Sequence, residues 1–346
     1  MSIRTTAKTK DTGIHSHPLA AMAVLVGGLA ALALGLALSI SVGAADIHIS
    51  TVWNAIFHYD ANVTAHSIIQ ELRLPRSLAG ILVGASFAVA GAMMQGMTRN
   101  PLADPGLLGL NAGAIFMVAI CYAFLPGLPY NYLILFSFVG ASISVALVYG
   151  VSSLSTKSAS PVRIVLAGAA VTALFTALSE GIAIYFNLSQ DLAFWFAGGV
   201  AGVKWSQLKM MFPWITGAMV AAIILSGSIT LLSLGEDVAT GLGQRTNVIR
   251  IIGFIIVLVL AGVAVSVAGP IGFVGLVVPH LVRYIVGVDY RLIIPCSAVI
   301  GGLLTCIADI GARMINAPHE TPIGALFALI GVPFFLYVAR REGRSL

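Results

Sequence analysis

Residues Ile251 to Val282 read IIGFIIVLVLAGVAVSVAGPIGFVGLVVPHLV and contain no Asp, Glu, Lys or Arg across 32 positions. A helix needs roughly 20 apolar residues to cross the hydrocarbon of a bilayer, so this run is too long for one comfortable crossing. Gly269-Pro270 divides it, because proline removes a helix donor and marks a turn. The stretch predicts one full membrane span followed by a short one.

The rest of the chain has the same character. Of its 346 residues 59% are hydrophobic and 9% charged, where soluble domains carry roughly 45 to 50% and about 25%. The mean hydropathy is +1.01. The expected fold class is all-α, a polytopic membrane protein of about ten transmembrane helices in one bundle, at 19–43, 77–97, 107–126, 131–154, 162–186, 207–232, 247–268, 272–286, 292–313 and 322–339. A tail (1–18), a single transmembrane domain (19–340) and a second tail (341–346) account for the chain. The apolar run from Leu19 to Ala45 exceeds the roughly 7 to 15 residues of a signal-peptide core, so it is read as an uncleaved first span. Cys121, Cys296 and Cys306 all lie in apolar runs without CxxC spacing, as buried small hydrophobes do.

Orientation follows from the basic residues. With the N-terminus inside, 13 of the 18 Lys and Arg fall on cytoplasmic segments and only Arg73, Arg76, Lys204, Lys209 and Arg313 fall outside. Both termini are therefore expected in the cytoplasm. The net charge of +5 is scattered singly along loops, which membrane orientation explains and nucleic-acid binding does not. The same topology puts LGEDVATGLG (Leu234 to Gly243) in the cytoplasm. Its two Leu-Gly pairs predict a turn, a short helix and another turn, a knob suited to a groove on a cytoplasmic partner.

Glycines recur inside spans as Gly80-xxx-Gly84 and Gly109-xxx-Gly113, a spacing that lets helices approach closely. AVAGAMMQG (Ala88 to Gly96) and VSVAGPIGFVG (Val265 to Gly275) hint at an internal duplication, although Ala, Val and Gly dominate every span. No GxxxxGK[ST], HExxH or GxSxG occurs, which gives no support for a phosphate-cradling loop, a zinc site or a nucleophile elbow on this chain. Within the spans only Glu180 and Asp309 are acidic, and intramembrane ionisable groups are functional candidates. Arg313 follows Asp309 on the same helix face, which suits an internal ion pair; Glu180 faces an aqueous vestibule or snorkels outward. Arg73 and Arg76, in LRLPR with Pro75 opening the helix, stand against the orientation bias. They suit an anionic ligand, the carboxylates of an external protein, or lipid headgroups.

LRLPRSLAGILVGASFAVAGAMMQGMTRNPLADPGLLG (Leu72 to Gly109), LGEDVATGLG, AGPIGFVGLVVPHLVR (Ala268 to Arg283), ADIGAR (Ala308 to Arg313) and ETPIGALFALIGVPFFLYV (Glu320 to Val338) resemble the FecCD/BtuC-like permeases of bacterial ABC importers for iron-siderophores, haem and vitamin B12. The resemblance implies a BtuC-like ten-helix subunit in the bacterial cell membrane, paired with a second permease as homodimer or heterodimer. Two cytoplasmic ATPase subunits carrying ATP and magnesium would sit beneath, and a substrate-binding protein or lipoprotein above. No cofactor is implied on this chain. By the same resemblance Leu234, Gly235, Glu236, Ala239, Leu242 and Gly243 would couple to the ATPase, and Arg73, Arg76 and Arg313 would dock the binding protein. Asn100, Leu102, Ser160 and Val162 would lie in loops narrowing the path. Asp191 to Trp205 resembles the outer re-entrant stretch, where Trp195 and Trp205 line the entrance or anchor at the interface.

The expected function is that of a permease importing a ferric siderophore by alternating access, without chemistry of its own. Vitamin B12 or haem import by the same machine is the alternative. A proton-driven secondary transporter using Glu180 and Asp309 belongs to a different class and leaves the knob without a purpose.

Overall fold

A computed structural model describes residues 16–42, 48–153, 161–316 and 319–342. The helices in chain order are α1 (Pro18–Ser41), α2 (Ile49–Phe57), α3 (Thr64–Ser67), α4 (Leu74–Thr98), α5 (Leu110–Phe124), α6 (Tyr130–Ser153), α7 (Pro161–Tyr185), α8 (Ser189–Ala197), α9 (Trp205–Ser233), α10 (Glu236–Gly241), α11 (Thr246–Ala268), α12 (Val274–Val286), α13 (Tyr290–Met314) and α14 (Ile323–Glu342). Among the described residues, seven helical segments are long and apolar enough to cross a membrane: α1, the continuous run from Thr64 to Thr98, α6, α7, α9, α11 and α13. Three shorter apolar helices, Leu110–Phe124, Val274–Val286 and Ile323–Leu336, accompany them. Each stretch expected to span falls on one of these helices. The break between α11 and α12 falls at Gly269-Pro270, where Gly269 has φ +67 and a Cβ would lie 2.7 Å from the Trp195 carbonyl.

α4 is the centre of the bundle and packs against α13, α11, α9 and α12. Lipid tails are as apolar as leucine, so helices here gain by close approach of small residues rather than by exclusion of water. A Cβ on Gly84 would overlap Gly301 of α13 and its Thr305, and one on Gly113 would overlap Gly140 of α6. Gly91 meets the Gly275 carbonyl of α12 in the same way. The two stretches that look like a duplication are thus each other's packing partners.

Pro75 stands in the first turn of α4, as its place in LRLPR predicts, but the helical run begins further upstream than expected. The chain is already helical from Thr64, and residues Ile68–Arg73 form a π-helical stretch just before the proline. Pro75 has no N–H to give to an upstream carbonyl, and the wider turn absorbs that mismatch without ending the helix.

Candidate functional site

Two polar assemblies stand at opposite ends of the bundle, and a third feature runs along α7. The first gathers the C-terminal end of α1, the start of α4, the end of α13 and the turn before α14. The last four carbonyls of a helix lack intrahelical donors and carry the negative end of its dipole. Here two arginines serve them. Arg73 Nη1 donates to the carbonyls of Ile40 (2.7 Å) and Ser41 (2.9 Å), and Arg313 Nη1 donates to those of Ser39 (2.9 Å) and Val42 (3.1 Å). Arg313 Nη2 also reaches Ser39 Oγ at 2.6 Å and Asp309 Oδ2 at 2.9 Å. The Asp309–Arg313 pair expected from their spacing is present, and Arg76 shares the same carboxylate: its Nη2 and Nε approach Oδ1 at 2.9 and 3.1 Å. Arg76 Nη1 donates in addition to Glu320. The Asp309 side chain is 2% exposed and that of Glu320 48%, so one acid is internal and the other sits at the rim.

A cavity of about 130 Å³ adjoins this cluster, bounded by Arg76, Tyr130, Trp195, Gly199 and Glu320. Gly199 N–H donates to the Ala268 carbonyl, the last of α11, at 2.6 Å. Trp195 is buried rather than interfacial. Trp205 is half-buried and donates from Nε1 to the Gln70 carbonyl at 2.7 Å.

The second assembly is the knob. Gly235 (φ +135) and Gly243 (φ +82) frame α10, whose Ala239 is fully buried. Leu234, Val238 and Leu242, four residues apart, form an exposed apolar ridge. Glu236 takes a different path from that ridge. Both its oxygens are held by Arg250 of α11, Nη2 to Oε2 at 2.8 Å and Nη1 to Oε1 at 3.1 Å, with Thr246 Oγ1 at 3.4 Å from Oε1. This fork keeps the Glu236 carboxyl below its ordinary range; the charge of Arg99 adds to it and partial burial opposes it.

At the knob end of α4, Asn100 Oδ1 accepts from Leu102 N at 2.9 Å, making a tight turn with both residues half-buried. Val162 lies in the first turn of α7, while Ser160 lies outside the described residues. A groove of about 560 Å³ follows α7 past Gly168, Thr172, Thr176 and Glu180, and Glu180 is exposed at its end. Glu180 and Asp309 are therefore not brought together. Among the described residues no three His, Cys, Asp or Glu gather as a metal site.

Residues 31–341 match the FecCD transport family. The chain belongs to that family. Among its relatives, the iron(3+)-hydroxamate import system permease FhuB of Bacillus subtilis (strain 168) is 54% identical over 96% of this chain and 86% of its own length. The iron-uptake system permease FeuB of the same organism is 39% identical over 92% of this chain and 96% of its own. A solved inward-facing conformation of a metal-chelate type ABC transporter superposes with TM-score 0.80 at 27% identity, covering 94% of this chain and all of that one.

Sequence reasoning within the FecCD pattern missed several residues. Arg250 counted only as a topological charge. Gln95 is buried in α4, donates to the carbonyls of Gly275 (3.3 Å) and Leu276 (3.2 Å) and accepts from Arg283 at 2.9 Å. Asp104 Oδ1 accepts from Gly106 N at 2.7 Å, and its Oδ2 would lie 3.2 Å from a Cβ on Gly275. A polar residue in an apolar span was the available signal for Gln95; Asp104 gave none, because its loop folds back against α12.

Proposed function

We propose that this chain is the membrane permease of a bacterial ABC importer whose cargo is a ferric siderophore, of hydroxamate type in the first instance. The observation that carries the reading is the 54% identity, over 96% of the chain, to an iron(3+)-hydroxamate permease. In this reading ten helices cross the plasma membrane with both termini in the cytoplasm, and the chain itself breaks no bond. The ridge of Leu234, Val238 and Leu242 meets one of two ATPase subunits, which hold the ATP and magnesium. The arginine end faces a substrate-binding protein or lipoprotein, and the open face along α7 meets a second permease, identical or similar, across the cargo path.

Docking at Arg73, Arg76 and Arg313 has a condition attached. All three guanidinium groups already have internal partners, so an acidic partner gains them only by exchange, most readily at Arg76 where Glu320 is exposed. Alternating access requires that each state offer different contacts, and such an exchange supplies one. Asp309 is held by two arginines, the arrangement of a structural ion cluster.

The test is uptake of radioiron on hydroxamate, catecholate and citrate carriers, with labelled haem and cobalamin in parallel, in cells with and without the gene. ATP-dependent loss of hydroxamate-iron uptake is the expected result. Loss of another cargo keeps the machine and changes its substrate, whereas uncoupler-sensitive uptake with ATP intact overturns the ABC reading.

A further inference from the structure

We infer that Arg250 is the positioning residue of the coupling knob: through its fork to Glu236 it fixes α10 to the base of α11, so that movement of the knob is passed to α11 as a rigid body. The inference rests on the proposed coupling role of residues 234–243 and assigns a function to a residue outside them.

Four observations lead there. Glu236 is the first residue of α10, and Arg250 holds both of its oxygens, so the contact restrains direction as well as distance. Both side chains are only partly exposed, 21% for Arg250 and 39% for Glu236. The ridge of Leu234, Val238 and Leu242 and the neighbouring Asp237 are exposed, whereas Glu236 and Arg250 are half-buried, so the surface most available to a partner differs from the groups that fasten the knob. Finally, α11 is a 23-residue helix, about 35 Å long at 1.5 Å per residue, whose last carbonyl is gripped by Gly199 beside the cavity at the arginine end. One helix therefore joins the knob to the opposite end of the bundle, and the Glu236–Arg250 fork is its fastening at the knob. The glycines at 235 and 243 take positive φ values that side-chain-bearing residues rarely adopt, so the turns at both ends of α10 rest on glycine. The fork adds the side-chain tie that carries a partner's movement from α10 into α11.

The experiment uses the full chain reconstituted in nanodiscs and proteoliposomes with its ATPase and binding protein. Arg250→Gln, Glu236→Gln, Arg250→Lys and the exchange Glu236→Arg with Arg250→Glu are compared for ATPase-subunit affinity and for cargo imported per ATP hydrolysed. Arg250→Gln should bind the ATPase as the parent does and lose roughly fivefold or more in cargo per ATP, the lower range of coupling between sites. Lysine, which keeps the charge and loses the fork, should fall between, and the exchanged pair should regain much of what either single change loses.

Parental cargo per ATP in Arg250→Gln overturns the inference. So does an exchanged pair no better than the single variants, or a loss of ATPase affinity that accounts for all the lost transport. If the unaltered chain fails to hold the ATPase, the underlying coupling reading fails instead, and the binding measurement on that chain distinguishes the two.

Discussion

Asp309 is the residue on which the arginine end depends. Its carboxylate is almost wholly buried and is shared by Arg76 and Arg313, with Glu320 supplying the second negative charge at the rim. Removing one partner of a buried ion pair costs about 3 to 5 kcal/mol, because the remaining charge is left uncompensated. Asp309→Asn is therefore expected to lower the midpoint of thermal unfolding in nanodiscs strongly. Glu320→Gln, at the exposed rim, should lower it little, on the scale of about 0 to 1 kcal/mol for exposed pairs. Glu236 offers a pH test. Arg250 holds its carboxyl below the ordinary value of 4.5, with help from Thr246 and Arg99. A depressed value means that the tie is fully present above 4.5 and is lost only as pH falls through the lower, folded-state value. Isotope-edited infrared titration should find Glu236 ionising below 4.5 in the parent and shifting upward in Arg250→Gln.

At the scale of elements, α4 and α12 meet where Gly91 and Gly275 leave no room for a side chain. Gly91→Ala is expected to cost about 1 to 3 kcal/mol or more as an overpacked contact, read as reduced folded yield and a lower unfolding midpoint. Gly181→Ala, with open space around it, is the control and should leave both unchanged. The segments themselves were legible from apolar length alone, including the break at Gly269-Pro270. What that length did not carry is the continuation of α4 upstream through a π-helical stretch, since nothing in the run before Pro75 signals where an unsatisfied carbonyl is absorbed. Nor did it carry the shared carboxylate at Asp309. Spacing finds a partner four residues away on one helix, but Arg76 lies 233 positions distant and becomes a neighbour only through packing.

For the molecule as a whole, the proposed topology puts the knob and the arginine cluster on opposite sides of the membrane. The three native cysteines are buried, so single reporter thiols can be read against a low background. Leu242→Cys should react with an impermeant maleimide only in inverted vesicles, and Asn62→Cys only in intact spheroplasts. Labelling of both from one side would contradict the orientation. The knob was legible from sequence as a polar interruption with glycines at both ends. Its internal division, an apolar ridge on one side and a charged fastening on the other, was not, because Arg250 looks like any other basic residue of an inner loop until α11 brings it to Glu236.

The grip on the C-terminal end of α1 also bears on how the chain is made. Arg313 lies 274 positions after the Ser39 carbonyl that it caps, and at about 5 to 20 residues per second a ribosome takes roughly 15 to 55 s to cover that interval. For that time α1 is held in the membrane without Arg313, and Arg76 has neither of its acids. A chain released before Asp309 is made therefore leaves Arg76 without either of the carboxylates that it meets in the finished bundle.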